Sequence, residues 1–195
     1  EGVVTDPKKL VSEKVGDLIF HFKAGEFFQN NPFVLPLLVE HVVQQAKTDE
    51  ISLLVDAYCG GGLFGLSAAA RLNKGVGIEI SRQGFEGART NAQINQIDNA
   101  QFFLGDASSI FDELEGFSEP AALVIDPPRR GCDPDFLRQA IEFGPQRIVY
   151  VSCEPATQAR DSQILLEAGY RAILAQPFDL FPQTRHVENV LTLVR

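Results

Sequence analysis

Three short apolar segments of the chain each close on an acidic residue, and this repeated arrangement constrains the fold more than any other feature. The segments are residues 51–56, 75–80 and 100–106, and their acids are Asp56, Glu79 and Asp106. Short apolar runs that alternate with helical patterns predict parallel strands joined by helices. Because the carboxyl ends of parallel strands meet at one edge of a sheet, we expect the three acids at the same edge. The sequence therefore predicts an α/β fold with a ligand site there.

A glycine-rich loop follows the first predicted strand. Residues 57–62 include three consecutive glycines, and a helical pattern covers residues 66–72. Glycines let the backbone approach a ligand closely, and the N-terminus of a helix adds a favourable dipole. Gly60-x-Gly62-x-x-Gly65 also matches the dinucleotide pattern, with an acid at the spacing that binds ribose hydroxyls. A nicotinamide-dependent oxidoreductase is therefore one candidate function.

The three strand-end acids favour a different ligand. A row of carboxylates suits a ribose and an exocyclic amine better than a pyrophosphate, whose negative charge it would repel. We therefore expect an adenosyl ligand without phosphates. The alternative is that these acids only cap helices and turns, where Asp is common.

Cys153 is the candidate nucleophile. The apolar run 149–151 predicts a buried strand, and Pro155 prevents the ladder from continuing, so the thiol is expected at a strand end. A thiol at the ligand edge of the sheet is positioned for covalent chemistry. The alternative interpretation is a small buried hydrophobe, the usual role of a free cysteine.

Asp126 ends a fourth predicted strand, residues 121–126, and two prolines follow it directly. Consecutive prolines make the turn rigid and hold the carboxylate at the ligand edge. Cys132 has no partner pattern and is interpreted as incidental.

The N-terminal part, residues 15–22, predicts a strand after a Gly-Asp turn, and a helix follows. Asn30 or Asn31 is the expected cap, with Pro32 in the first turn. The expected apolar stripe of this helix is Phe33, Leu37, Leu38 and Val42. Further helices are predicted at 85–94, 135–143 and 156–168, and further strands at 170–176 and 187–194.

Composition limits the class of protein. With 195 residues, 45% of them hydrophobic, the chain can form one domain without disulfides. Its three cysteines are too scattered for a zinc or iron–sulfur site, and no apolar run is long enough for a membrane span. We therefore expect a soluble, cytoplasmic protein without a metal. Because the chain contains no Met, we also expect it to be a fragment or a processed chain.

The net charge of −9 argues against a nucleic-acid partner, but the charge is unevenly distributed. Residues 126–195 contain 9 acids and 8 bases, and all eight bases are Arg, which binds phosphates in a bidentate manner. The C-terminal part is therefore compatible with RNA, although scattered surface arginines are the commoner explanation.

Five motifs together resemble the RNA 5-methyluridine methyltransferase family, most closely its tRNA (uracil-5-)-methyltransferases. They lie at residues 27–30, 56–62, 126–131, 150–161 and 179–188. The resemblance runs from about residue 20 to the C-terminus. It implies a Rossmann-like class I methyltransferase fold with seven mostly parallel strands, the last antiparallel. It also implies residues 1–30 as a lead-in segment with a short strand, and 31–195 as the catalytic domain.

The resemblance implies the site residues. It assigns cofactor binding of S-adenosyl-L-methionine to Gln29, Asp56, Tyr58, Gly60, Glu79, Asp106 and Asp126. Cys153 would be the nucleophile that adds to C6 of uracil, with Asp126 at the catalytic site. Glu188 would be the base that removes the C5 proton, and His186 is its rival. Phe181 is a candidate for stacking on a flipped base.

Two positions depart from the family pattern. Glu154 replaces a common Asn beside the nucleophile, and Leu63 replaces an Asn near the cofactor. The implied partner is RNA, with tRNA favoured over ribosomal RNA, and the expected state is a monomer. A non-catalytic RNA-binding or folding module is the third alternative to the methyltransferase and the oxidoreductase.

Overall fold

A single seven-stranded sheet dominates the computed structural model, which describes residues 5–26, 28–29, 31–114 and 120–195. The strands are β1 (Leu10–Val15), β2 (Leu18–Lys23), β3 (Leu53–Asp56), β4 (Lys74–Glu79), β5 (Ala100–Leu104), β6 (Ala121–Ile125), β7 (Arg147–Ser152), β8 (Arg171–Phe178) and β9 (Glu188–Val194). The helices are α1 (Leu35–Ala46), α2 (Leu63–Ala69), α3 (Arg82–Ile94), α4 (Ile110–Glu113), α5 (Pro134–Phe143) and α6 (Pro155–Glu167). Strands β1 and β2 form a separate hairpin.

The strand order of the large sheet is β5-β4-β3-β6-β7-β9-β8. Its pairs are parallel except those of β9, which runs antiparallel to both β7 and β8. The predicted mostly parallel sheet with an antiparallel last strand is therefore confirmed. The central strands β3 and β6 are buried along their whole length, which explains why their sequences are continuous apolar runs.

Helices cover both faces of the sheet. On one face, α1, α2 and the hairpin share a hydrophobic cluster that includes Phe20, Leu38 and Leu66. On the other face, α4, α5 and α6 pack around Phe136 and Tyr150. This three-layer arrangement leaves the carboxyl edge of the parallel strands free to carry the loops of the site.

The N-terminal prediction was only partly right. The strand expected after the Gly-Asp turn is β2, and the turn is present, with a φ of 60° at Gly16. Strand β1, which precedes the turn and completes a hairpin, was not predicted. Helix α1 begins at Leu35, after a turn in which Asn31 Oδ1 accepts hydrogen bonds from the Phe33 and Val34 N–H groups. The other expected cap, Asn30, lies outside the described residues, as does Phe27.

The apolar stripe of α1 was also partly wrong. Leu38 and Val42 are buried as expected, but Phe33 is 86% exposed and Leu37 63% exposed. The buried face consists of Leu35, Leu38, Val39, Val42, Val43 and Ala46. The helix therefore begins three to four residues later than predicted. Its buried face consequently differs from the predicted apolar stripe.

The remaining elements lie within a few residues of their expected positions. Helix α2 begins at Leu63 rather than at residue 66, and α3 begins at Arg82 rather than at 85. The short helix α4 was not predicted. Within the described ranges, no helix is long and apolar enough to cross a membrane.

Candidate active site at the carboxyl edge of the sheet

The topology brings five chemically capable side chains to one edge of the sheet. Asp56 and Glu79 end β3 and β4, Asp126 follows β6, and Cys153 follows β7. Glu188 begins β9, which runs in the opposite direction, so its first residue lies at the edge where the parallel strands end. Carboxylates from four strands and one thiol therefore surround the same loops.

Glu79 and Asp56 hold the glycine-rich loop by their carboxylates. Glu79 Oε2 accepts a hydrogen bond from the Gly60 N–H at 2.8 Å, and its Oε1 accepts one from the Ser81 N–H at 2.8 Å. Asp56 Oδ2 accepts a hydrogen bond from the Gly65 N–H at 2.9 Å, at the start of α2. Its Oδ1 is buried and has no partner among the described residues, so one acceptor remains for a ligand.

Asp56 and Asp126 form the acidic centre of this edge. Burial raises the pKa of Asp56 to about 7, against the lowering effect of hydrogen bonds from the Gly65 and Tyr58 backbone. Burial, and then the nearby negative charges of Glu188 and Asp56, raise the pKa of Asp126 well above its ordinary value. A cationic group would stabilise the ionised forms of these carboxyls.

Tyr58 and Asp106 lie at the other side of the loop. Tyr58 is half-buried, its ring packs edge-on against Phe136 at 5.4 Å, and burial raises its pKa. Asp106 is exposed, and its Oδ1 accepts hydrogen bonds from Ser108 N–H at 3.0 Å and Ser108 Oγ at 2.7 Å. Asp106 thus has the turn-capping role that was the alternative interpretation, and these bonds lower its pKa. 

Cys153 and Glu188 are neighbours across the β7–β9 pair. Ser152 pairs with Asn189, so Cys153 and Glu188 occupy the next positions beyond the ladder. Glu188 is 1% exposed, its Oε2 has no partner among the described residues, and burial raises its pKa to about 7. The thiol is half-buried, and burial together with the Glu188 charge raises its pKa.

Arg129 is a cation close enough to both groups to affect their ionisation. It lowers the pKa of the Cys153 thiol and the pKa of Glu188. Both effects are smaller than the effect of burial. Arg129 therefore favours the thiolate and the carboxylate, the two ionised forms that nucleophilic and base catalysis need.

The start of α6 fixes the loop that carries Arg129. Thr157 Oγ1 donates to the Arg129 carbonyl at 3.1 Å, and Arg160 donates to the Arg130 carbonyl at 3.0 Å. The buried Asp161 accepts from the Cys132 N–H at 2.8 Å. Gly131 has a φ of 80°, and a Cβ there would lie 2.5 Å from the Arg160 and Asp161 side chains, so no larger residue fits.

Gln29, Phe181 and His186 complete the predicted set. Gln29 is buried, and its Oε1 has no partner among the described residues. The Phe181 and His186 rings meet edge-on at 6.5 Å. Asn31 Nδ2 donates to the Leu180 carbonyl at 3.1 Å, which ties the segment after Gln29 to the loop before β9.

Comparison with known proteins identifies the family. The family model for tRNA (uracil-5-)-methyltransferases matches residues 8–195. The chain belongs to this family. The tRNA (uracil(54)-C(5))-methyltransferase of Schizosaccharomyces pombe is 44% identical over 99% of this chain, and the Saccharomyces cerevisiae enzyme of the same name is 39% identical over 98%. The chain spans only 39% and 32% of these relatives.

A solved structure of the family has the same fold. The Pyrococcus abyssi tRNA (uracil-54, C5)-methyltransferase, in complex with S-adenosyl-L-homocysteine, superposes with a TM-score of 0.83 at 32% identity. The superposition covers 96% of this chain and 45% of the other. The predicted Rossmann-like methyltransferase fold is therefore confirmed.

The sequence analysis did not single out Arg129, which is one residue of the motif at 126–131. Ile80 is 70% exposed directly after Glu79, an unusual position for a large apolar side chain. In the sequence it is only the last residue of the run 75–80, and nothing local shows that it is exposed. Among the described residues, no group of three or more His, Cys, Asp or Glu side chains is arranged for a metal ion.

The two departures from the family pattern have different surroundings. The Glu154 side chain makes no capping bond to α6, but its N–H donates to Ser152 Oγ at 3.1 Å and closes the turn around Cys153. Leu63 is the first residue of α2 and packs against the hydrophobic cluster around Phe20.

Proposed function

We propose that this chain is the catalytic domain of an enzyme that transfers a methyl group from S-adenosyl-L-methionine to C5 of a uridine in tRNA. The observation that carries the proposal is the placement of the Cys153 thiol beside the buried Glu188 carboxyl at the acidic edge of the sheet. A nucleophile and a base at adjoining strand ends fit a reaction that forms and then breaks a covalent bond to the substrate.

The acidic edge fits a cationic adenosyl cofactor. Glu79, Asp56 and Asp126 are the carboxyls that would hold a cationic cofactor at this edge, and Asp56 Oδ1 is a buried acceptor without a partner among the described residues. The exposed Ile80 side chain offers an apolar surface to a planar base. The same charges disfavour the pyrophosphate of a dinucleotide. When bound, the cofactor supplies an electrophilic methyl group.

The Cys153 thiolate begins the reaction. C5 of uracil is a poor nucleophile, so the thiolate adds to C6 and the electron pair of the C5–C6 bond moves to C5 as an enolate. C5 would then take the methyl group of the bound cofactor, whose sulfur would keep the electron pair of the broken S–CH3 bond, and C5 would still carry its own proton. Burial raises the thiol pKa, and the nearby cationic Arg129 opposes this and favours the reactive thiolate.

Glu188 completes the reaction. Its carboxylate removes the C5 proton, the electron pair re-forms the C5–C6 double bond, and the sulfur of Cys153 leaves C6. A pKa of about 7 makes Glu188 a stronger base than an ordinary carboxylate while leaving a large fraction ionised near neutral pH. Asp126 contributes to the negative field around both groups.

The RNA partner follows from the family. The similar proteins are named for uridine 54 of tRNA, and the eight arginines within residues 126–195 supply cations for phosphates. Phe181, half-buried in the loop before β9, is the proposed stacking partner of a flipped uracil. We further propose a cytoplasmic monomer, with residues 1–30 as the lead-in to a catalytic domain at 31–195.

A methyl-transfer assay tests the proposal. Tritiated S-adenosylmethionine and unmodified tRNA are incubated with the full protein, and digestion of the RNA identifies the labelled nucleoside. We expect 5-methyluridine with the wild type and no label with Cys153→Ala. Label in another nucleoside, or full activity of Cys153→Ala, would overturn the proposal. Quenching of NADH fluorescence on binding would instead support the oxidoreductase alternative.

A further inference from the structure

The hairpin is attached to α3 by two asparagines that take the place of a third strand. Asn95 Oδ1 accepts from the Ile19 N–H at 2.8 Å, and its Nδ2 donates to the Ile19 carbonyl at 2.7 Å. Asn91 makes the same pair of bonds to His21, at 2.8 Å and 3.3 Å. Residues four apart on a helix rise about 6 Å, which matches the roughly 6.7 Å between alternate residues of a strand. The outer edge of β2 is therefore satisfied at both positions.

Of the two asparagines, Asn91 also forms a hydrogen bond with the glycine-rich loop. Its Nδ2 also donates to the Gly61 carbonyl at 2.9 Å, and the residue is 1% exposed. Asn95 instead donates to the Asn91 carbonyl, within α3 itself. The same amide group of Asn91 thus joins the backbone of the hairpin to the backbone of the loop.

The face of α3 that leads to Asn91 lies directly against this loop. A Cβ on Gly84 would lie 3.4 Å from the Gly60 carbonyl carbon, and a Cβ on Gly87 would lie 3.9 Å from Gly61 Cα. A Cβ on Gly62 would in turn lie 3.3 Å from Ala88 Cβ. Packing therefore brings α3 to the loop, but these small residues supply no polar contact to fix its orientation.

The loop has few contacts of its own. Three consecutive glycines have no side chains to pack, and Gly60 and Gly62 adopt φ values of 50° and 86°. Glycine loses more conformational freedom on ordering than any other residue. Glu79 holds the Gly60 N–H, and the Gly62 N–H donates to the Cys59 carbonyl at 2.7 Å. The hydrogen bond from Asn91 holds the Gly61 carbonyl, the other end of the peptide group whose N–H closes this turn.

We propose that Asn91 is a positioning residue for the cofactor loop, and that through it the docking of the β1–β2 hairpin is coupled to cofactor binding. This rests on the proposed function, since it takes residues 57–62 as the loop that binds S-adenosylmethionine. Coupling between two sites is reciprocal. Cofactor binding therefore slows the opening of the hairpin edge at His21, and loss of the bond to Gly61 weakens cofactor binding.

The test compares Asn91→Ala with Asn95→Ala in the full chain. Both variants lose one bidentate attachment of the hairpin, but only the first loses the bond to the loop. We expect the calorimetric Kd for S-adenosylhomocysteine to rise about 10-fold with Asn91→Ala, the loss typical of a buried hydrogen bond, and to stay within about 2-fold of wild type with Asn95→Ala. In turnover, Asn91→Ala raises KM for the cofactor more than it lowers kcat. Equal effects of the two variants would show that hairpin docking alone matters, and would overturn the proposal.

Two further measurements keep the test decisive. If Asn91→Ala does not fold, Asn91→Asp retains the acceptor for the His21 N–H while losing the donor to Gly61, and it should reproduce the loss of affinity.

Hydrogen exchange without any ligand should be faster in residues 60–65 of the Asn91 variant than in the same residues of the Asn95 variant. Unchanged exchange would contradict the positioning role. In the wild type, saturating S-adenosylhomocysteine should slow exchange at His21. Failure of the wild type to bind the ligand would overturn the proposed function, while the ligand-free exchange comparison still decides the role of Asn91.

Discussion

Gln158 of α6 and Asn189 of β9 are joined by two hydrogen bonds. Asn189 Nδ2 donates to Gln158 Oε1 at 2.6 Å, and Gln158 Nε2 donates to the Asn189 carbonyl at 3.1 Å. Gln158 Nε2 also donates to the Tyr150 carbonyl of β7 at 2.8 Å. Asn189 is the neighbour of Glu188, and α6 begins directly after the Cys153 loop. One glutamine therefore fixes α6, which follows the Cys153 loop, to both strands of this pair.

Gln158→Leu should loosen α6 and with it the Cys153 loop, and so displace the thiol relative to Glu188. We expect kcat to fall about 10-fold to 100-fold, because small displacements of catalytic groups have effects of this size, and the free energy of unfolding to fall by about 1–3 kcal/mol. Kinetics of methyl transfer and urea denaturation measure the two effects. The matched control is Gln163→Leu on the exposed face of the same helix, where Nε2 bonds only Glu167 at 3.0 Å. If Gln163→Leu loses as much activity, the effect of Gln158 is not specific to the strands.

Glu79→Ala should weaken cofactor binding by about 1–3 kcal/mol, the range for a hydrogen bond to a charged group. The structure adds a second cause, since the carboxylate also orients the Gly60 and Ser81 N–H groups. Titration calorimetry with S-adenosylhomocysteine measures the loss. Glu86→Ala is the control, because Glu86 is exposed on α3 and its side chain pairs with Arg82 at 3.7 Å. An affinity unchanged by Glu79→Ala would remove this residue from the cofactor site.

The sheet could be predicted from the sequence because its strands have local sequence signals. β3, β4 and β6 are buried apolar runs, and Asp56, Glu79 and Asp126 mark their ends. The N-terminal elements could not be predicted as well, because their buried faces depend on distant partners. β2 is completed by Asn91 and Asn95, some 70 residues away in the chain.

The sequence pointed to the proposed reacting groups but not to the residues around them. Motif similarity singled out Cys153 and Glu188, the two side chains to which the proposed mechanism assigns the chemistry. Arg129 is one of eight C-terminal arginines, and nothing local distinguishes it before the loop is folded against α6. Its proximity to the thiol results from tertiary contacts, which periodicity and spacing do not encode.

Glu188→Gln should stabilise the protein at high pH. The folded-state pKa of Glu188 is about 7, above the ordinary 4.5, because burial disfavours the charge. The unfolded chain releases this proton near pH 4.5, so between pH 4.5 and 7 the free energy of unfolding falls as pH rises. The variant should therefore equal wild type near pH 4 and exceed it by at most about 3 kcal/mol at pH 8.

Urea denaturation at both pH values measures this difference. The control is Glu167→Gln, an exposed carboxyl at the end of α6, which should change stability little at either pH. A Glu188→Gln protein that is less stable than wild type at pH 8 would mean that the carboxylate has favourable partners, and the pKa would then not be raised.

Cys153→Ala and Glu188→Gln should fail at different steps. Without the thiol, C5 never becomes nucleophilic, so Cys153→Ala should give neither a covalent RNA adduct nor methylation. Glu188→Gln should still add and methylate but resolve slowly, because its amide cannot remove the C5 proton. It should therefore accumulate a protein–RNA adduct that survives denaturing electrophoresis and already carries the tritiated methyl group. His186→Gln is the matched variant for the rival base, and it should release product as wild type does. An adduct trapped by His186→Gln, together with rapid release by Glu188→Gln, would transfer the role of base to His186.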